Sequence, residues 1–313
     1  MPLNYAEVWE PELLDILIQG TLTSPFVTQN VRWLDAKTFH FTQMSTSGYK
    51  NHSRNGGWNK GNYVQTDVPF TLKHDRDISF LVDKADVDET NATASIQNIS
   101  RVFEQTWAVP ETDALFFSRV AAEAQKLEGY HSSTNASDYT AENTFSKLKG
   151  YLGSGKLRRY KANGSLIMYV TSAIMDNLES SKEFTRKIEM TQIAESGLGI
   201  ETRVTDIDGV PVMEVIDDER FYDVFEWEPE DGGFEPKNGE SHKINVLIAC
   251  GQTCKTVPKI SSIYYFNPGT HTEGDGYLYQ NRSFSDVFVF PNGRDGKIDS
   301  IYVDVDTATY VAV

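Results

Sequence analysis

Thr71-Leu-Lys-His-Asp-Arg76-Asp-Ile-Ser-Phe80-Leu-Val-Asp83 leads, through Asp86-Val-Asp88-Glu89-Thr90, to Val109-Pro110-Glu111-Thr-Asp113-Ala114. Residues 77–83 form a short apolar run bounded by aspartates and read as a strand. The acidic cluster that follows precedes a helical pattern in which Ile96, Ile99, Phe103 and Trp107 recur three and four residues apart. Carboxylates at a helix start interact favourably with the positive end of the dipole and cap free N–H groups, so Glu89 and its neighbours read as a cap. No histidine or further carboxylate stands at helical spacing from them to complete a metal site. Pro110 interrupts the pattern. It is expected at the first position of a second helix, residues 110–127, carrying Leu115, Phe116, Val120 and Ala124. Together the two helices make a long, kinked spine.

Upstream of this stretch, residues 38–43 alternate and place Phe39 and Phe41 on one face of a strand, while Val68, Phe70 and Leu72 are in phase within 64–72. Between these segments, residues 45–62 are rich in Ser, Gly and Asn, hold Gly56-Gly57 near the centre, and carry Lys50, Arg54, Trp58 and Lys60. The pattern predicts a long two-stranded excursion with a polar, mobile tip. Such a ribbon is marginal alone in water and needs something to lie on. Residues 1–28 read as an arm with one short helix at Leu13, Leu14, Leu17 and Ile18, followed by Pro25.

Downstream, a Ser/Asn-rich loop at 130–139 precedes a helix at 141–149, a buried strand at 166–170 and a helix at 172–178 capped by Thr171. Strands are expected at 186–193, 199–204 and 210–215, the last entered by a turn at Asp208-Gly209. After an acidic loop at 226–240 the chain is strand-rich: 244–249, 260–266, 286–290 and 298–305. The fold class is α+β, with no internal repeat.

At 313 residues the chain has room for about two domains. Its apolar, aromatic and charged fractions of 39%, 12% and 24% are those of a protein that folds. Forty-five acidic against 29 basic residues leave a formal charge of -16. Nucleic-acid binding normally requires a basic face, so tight DNA binding is disfavoured; the same charge suits a surface that coexists with packed DNA without sticking to it. No stretch is long and apolar enough for a membrane span, and Met1 to Trp9 lacks the features of a signal peptide, so a cytoplasmic site of synthesis is expected. Cys250 and Cys254, spaced C-x-x-x-C, lack partners for a metal site and read as buried, idle thiols.

Motifs for chemistry fail on inspection. Gly150-Tyr-Leu-Gly-Ser-Gly155-Lys156 fits G-x-x-x-x-G-K, but Leu157 stands where a phosphate loop needs a hydroxyl for magnesium, and a helix precedes it where a strand should. Asp206-Ile-Asp208-Gly209 lacks the later bidentate Glu of a calcium loop and reads as a hairpin tip. The six histidines, His40, His52, His74, His131, His242 and His271, are scattered. No enzyme activity, metal or cofactor is expected.

The opening stretch closely resembles major capsid proteins of siphophages that infect low-GC Gram-positive bacteria. Ile263-Tyr-Tyr-Phe-Asn-Pro268 and Asn281-Arg-Ser-Phe-Ser-Asp286-Val-Phe-Val are similar to the ending of the same family. The resemblance implies the Hong Kong 97-type (HK97-like) capsid fold, divided into an N-terminal arm (1–34), an extended E-loop (35–71), a peripheral domain with the spine helix (72–129), an axial domain (130–248) and a return to the peripheral domain (249–313). It implies that Lys50, Arg54, Trp58 and Lys60 of the E-loop contact another subunit, and that Glu89, Ile96, Ile99, Phe103, Trp107 and Pro110 belong to the spine. The implied function is a major capsid protein that assembles as hexamers and pentamers into an icosahedral shell around double-stranded DNA. The virion is its location, reached by assembly in the host bacterial cytoplasm. The arm begins almost at Met1, which points to a separate scaffolding protein beside a portal and decoration proteins. Lys50 or Lys60 could be imagined in a covalent cross-link, but no matched acceptor is visible. An encapsulin-like nanocompartment shell and a phage tail or adhesion protein are the alternatives; an enzyme would need a convergent polar pocket.

Overall fold

The computed structural model describes residues 20–28, 35, 37–52, 56, 58–84, 96–155, 157–161, 165–181, 189–191, 202–230, 232–292 and 297–312. The expected arm helix at 13–18, the acidic cluster with Glu89, Arg54 and Lys156 lie outside them, as does most of the strand expected at 186–193.

Strands β1 (Thr38–Thr46) and β2 (Tyr63–Thr71) pair antiparallel from Thr38 opposite Thr71 to Thr46 opposite Tyr63. Alternation puts Phe39, Phe41 and Phe70 on one side, where they meet Phe288 and Phe290 with ring centroids 4.6 to 6.2 Å apart. Phe39 and Leu72 are buried there, and this root anchors the hairpin. β3 (His74–Asp83) follows directly.

The long helix comprises α1 (Ile96–Phe103), a π-turn (Glu104–Ala108) and α2 (Val109–Gln125). Phe103, Ala108 and Val109 all keep right-handed helical angles, so the run is continuous. Pro110 therefore does not open a second helix, as the sequence suggested, but sits inside one. Proline lacks an N–H and its ring crowds the carbonyl four residues back; the wider π-turn just before it takes up that crowding. The turn also breaks the apolar phase. Ile96, Ile99 and Phe103 pack against Phe80, Val82 and Tyr279, whereas Trp107 remains 42% exposed. On α2, Leu115, Phe116, Val120 and Ala124 are buried as their spacing predicts.

A seven-stranded mixed sheet forms the second lobe. It contains β4 (His131–Ser133), β5 (Leu166–Thr171), β6 (Glu189–Thr191), β7 (Thr202–Ile207), β8 (Val210–Val215), β11 (His242–Cys250) and β14 (Tyr302–Thr309), in the order β4-β14-β11-β5-β8-β7-β6. β5 and β11 are central and covered on both faces, which explains the apolar runs Leu166–Val170 and Val246–Cys250. One face packs on α2; the other is covered by α3 (Thr144–Leu152), α4 (Arg158–Lys161) and α5 (Ser172–Glu179). A short ladder of β9 (Phe225–Glu226) and β10 (Glu235–Pro236) closes the acidic segment. β12 (Cys254–Phe266) and β13 (Gly276–Val289) make a long ribbon that joins β3 in a three-stranded sheet, order β12-β13-β3.

Several bounds differ from the sequence reading. α3 starts at Thr144, because the Asn143 side chain accepts the Thr140 N–H and holds 141–143 in turns. Thr171 precedes α5 but makes no side-chain cap; it is the last residue of β5. The final strand begins at Tyr302, since Asp299 and Ser300 bond side chains of Tyr160 and Thr253 instead of a ladder. Asp208 and Gly209 do form a hairpin tip, with φ of 56° and 82° and the Gly209 N–H donating to Asp206 at 2.7 Å. The false phosphate loop starts within the last turn of α3 and leaves it in a turn: Gly155, with φ 51°, lies so close to Tyr130 that a Cβ would come within 2.7 Å of its ring. No helix among the described residues is long and apolar enough to cross a membrane.

Both cysteines are buried and unpaired, and burial pushes the Cys254 thiol up to about 12. A thiol reagent at mildly alkaline pH is therefore expected to label neither residue in the folded subunit and both after unfolding in guanidinium. Prompt labelling of the native protein would show that this part of the core opens.

Candidate assembly surface

Beyond its aromatic root the hairpin leaves the body of the subunit. Its tip is closed by polar bonds to itself: Ser47 N–H to the Asn62 carbonyl at 2.8 Å, Asn62 N–H to Ser47 Oγ at 2.9 Å, and Asn59 Nδ2 to the Asn51 carbonyl at 2.9 Å. Lys50, Trp58 and Lys60 stand together on this tip, all exposed, and Arg54 lies outside the described residues. Trp58 is 94% exposed, and Tyr49 beside it is fully so. A large aromatic left in water on an extended ribbon has the composition of an interface anchor.

A groove of about 1070 Å³ runs between the long helix and the helix-facing side of the three-stranded sheet. One end is fastened by a side-chain cluster that sequence reasoning missed. Arg76 of β3 donates through Nε to Glu111 of α2 at 3.0 Å, and through its two Nη groups to the carbonyls of Trp227 and Gly233, the latter at 2.6 Å. His74 meets the same Glu111 oxygen at 2.9 Å and packs its ring edge-on to Trp227. Gly233, with φ 79°, lies on the Trp107 indole, where a Cβ would come within 2.5 Å. The Gly232-Gly233 pair was the only local signal of this contact.

A second cluster anchors the N-terminal segment. Asp113 on α2 is fully buried and accepts from the Leu22 and Thr23 N–H groups, the Thr23 hydroxyl at 2.7 Å and the Arg220 guanidinium at 3.0 Å. Arg220, also fully buried, reaches Asp217 at 2.6 Å as well. Burial pushes the Asp113 carboxyl above its usual range, opposed by the Arg220 charge and the hydrogen bonds. Tyr169 donates to the Leu22 carbonyl, so residues 20–28 are held against both lobes, with Leu22 and Phe26 in the core.

Of the residues assigned to the spine, Ile96, Ile99 and Phe103 face the sheet, Pro110 is buried within α2, Trp107 lines the groove, and Glu89 is outside the described residues. The described residues contain no cluster of three His, Cys, Asp or Glu side chains placed to hold a metal ion.

No family model matches the sequence, and no curated protein matches it. Solved structures do. The asymmetric unit of the bacteriophage PhiM1 mature capsid superimposes with a TM-score of 0.64 at 11% identity, covering 98% of this chain and 93% of that one. The capsid of Ralstonia phage GP4 gives 0.58 at 10% identity, over 99% and 96%. This is the fold of a phage capsid subunit. A structure from Mycobacterium phage Che8 agrees, with a TM-score of 0.59 at 12% identity over 97% and 98% of the two chains. The capsid fold thus spans nearly the whole of both chains, and it bears out the α+β class and the capsid fold implied by the resemblance.

Proposed function

We propose that the chain is the major capsid protein of a tailed phage, a non-enzymatic subunit that builds the head shell. The observation that carries this is the near-complete mutual coverage with capsid structures, together with a hairpin whose aromatic and cationic tip is exposed in the single subunit. In this reading residues 35–71 act as the E-loop, the run from Ile96 to Gln125 as the spine, 130–248 as the axial domain and 249–313 as the return to the peripheral domain. Hexamers and pentamers close into an icosahedral shell because each subunit buries large surfaces against several neighbours. A separate scaffolding protein and a portal direct assembly in the host cytoplasm, decoration proteins bind the finished head, and the acidic subunit encloses double-stranded DNA without reading its sequence.

Co-expression with the phage's scaffolding and portal proteins is expected to give closed particles by electron microscopy. A strictly monomeric species in sedimentation at high concentration under those conditions would overturn the reading. An encapsulin-like shell would instead yield DNA-free particles in infected cells, and a tail protein would yield tubes or trimers.

A further inference from the structure

We infer that the acidic segment 226–240 is one wall of the groove that receives the hairpin tip of a second copy of this chain, with Arg76 as the latch that holds the wall in place. The inference rests on the reading of residues 35–71 as an assembly hairpin and names its receptor.

Charge gives the first argument. Residues 45–66 carry Lys50, Arg54 and Lys60 and no carboxylate, although acids outnumber bases 45 to 29 in the chain. Residues 226–240 are the inverse: Glu226, Glu228, Glu230, Asp231, Glu235 and Glu240 against Lys237 alone.

Geometry gives the second. Arg76 ties the backbone of Trp227 and Gly233 to Glu111 of the long helix, and Gly233 rests on Trp107. The segment belongs by sequence to the seven-stranded lobe, yet this latch makes it a side of the groove, where Glu228 joins the half-exposed Trp107 and Ile263. An acidic rim over a groove that mixes apolar Trp107 and Ile263 with polar Asn281 and Ser283 fits a tip that presents lysines beside Tyr49 and Trp58.

The occupant must come from another copy. The subunit's own hairpin is rooted on Phe284 and Phe288, while Asn281 and Ser283 of the same strand line the groove. Side chains an odd number of places apart point to opposite faces of a strand, so root and groove are on opposite faces of the sheet. The subunit's own Trp58 accordingly stays in water.

The test reverses charge on each side in the full-length protein. Glu228→Lys with Glu230→Lys, both at exposed positions, is expected to cut particle yield at least tenfold with an unchanged melting temperature. Lys50→Glu with Lys60→Glu is expected to do the same, and combining all four to restore most of the yield. As a check independent of yield, Trp58→Cys with Glu228→Cys should cross-link subunits to one another in assembled particles treated with a short bismaleimide, the native cysteines being buried. Wild-type yield from the Glu228/Glu230 variant, or no cross-link between copies, overturns the acidic wall. If removal of residues 47–60 abolishes shells in the same experiment, the hairpin reading survives that result; if normal shells form without the hairpin, both fall.

Discussion

A subunit lacking residues 47–60 is expected to fold normally and to form no closed shells. No described residue between 45 and 66 belongs to a buried apolar cluster, so the deletion is expected to leave the core intact. The excision leaves Gly61-Asn62 between Thr46 and Tyr63, which are paired in the native hairpin. A two-residue loop with Gly first is what a tight type II′ turn closes, so the shortened ribbon keeps its register and its aromatic root. Urea unfolding should show a midpoint close to that of the intact protein, while electron microscopy shows no heads. In the intact protein, trypsin should cut at Lys50 and Lys60 in free subunits and far more slowly in mature particles, because order at the tip would come from a neighbour. Normal heads from the deletion, or equal cleavage in both states, would reduce the hairpin to a surface ornament.

The second large effect concerns the buried pair beneath the N-terminal segment. Arg220→Met is expected to destabilise the subunit by about 3–5 kcal/mol, because the Asp113 carboxylate keeps its burial and loses its counter-charge. Hydrogen exchange should quicken first at Leu22 and Thr23, whose N–H groups bond that carboxylate. The pH dependence follows from the direction of the shift. Asp113 titrates above its unfolded value, and removing Arg220 raises it further, so the variant's deficit is present above the native value and shrinks as falling pH protonates the carboxyl. Denaturation at about pH 5 should therefore show a smaller difference between the two proteins than at about pH 8. A loss under about 1 kcal/mol, or a deficit that grows on acidification, would mean the pair is not the anchor described.

What the sequence revealed was whatever depends on neighbours in the chain. Val210–Val215 was bounded correctly because alternation and a turn signal coincide there, and the phase of Phe39 and Phe41 was right because one face of the strand is buried. Trp107 kept the spacing of a core residue, yet the π-turn at Glu104–Ala108 inserts an extra residue per turn and swings it toward Gly233. The long ribbon of β12 and β13 was read as two short strands, since its polar residues, Ser261, Asn281 and Ser283, line the groove and interrupt the apolar pattern. The ion pairs were not legible at all. Arg76 and Glu111 are 35 positions apart and Asp113 and Arg220 are 107 apart, and with 45 acids and 29 bases no spacing rule selects them. At the tip, composition predicted a polar excursion, and Lys50, Trp58 and Lys60 are exposed on it; that these residues and Arg54 contact another subunit is a proposal.

β13 carries the root of the hairpin on one side and the floor of the groove on the other. If each tip occupies the next subunit's groove, a pull on one tip passes through Phe39 and Phe288 into the strand that grips the following tip. In the proposed hexamer tension would then run around the ring as through a buckled belt, and, were DNA packed inside as proposed, its pressure would tighten the ring instead of loosening it.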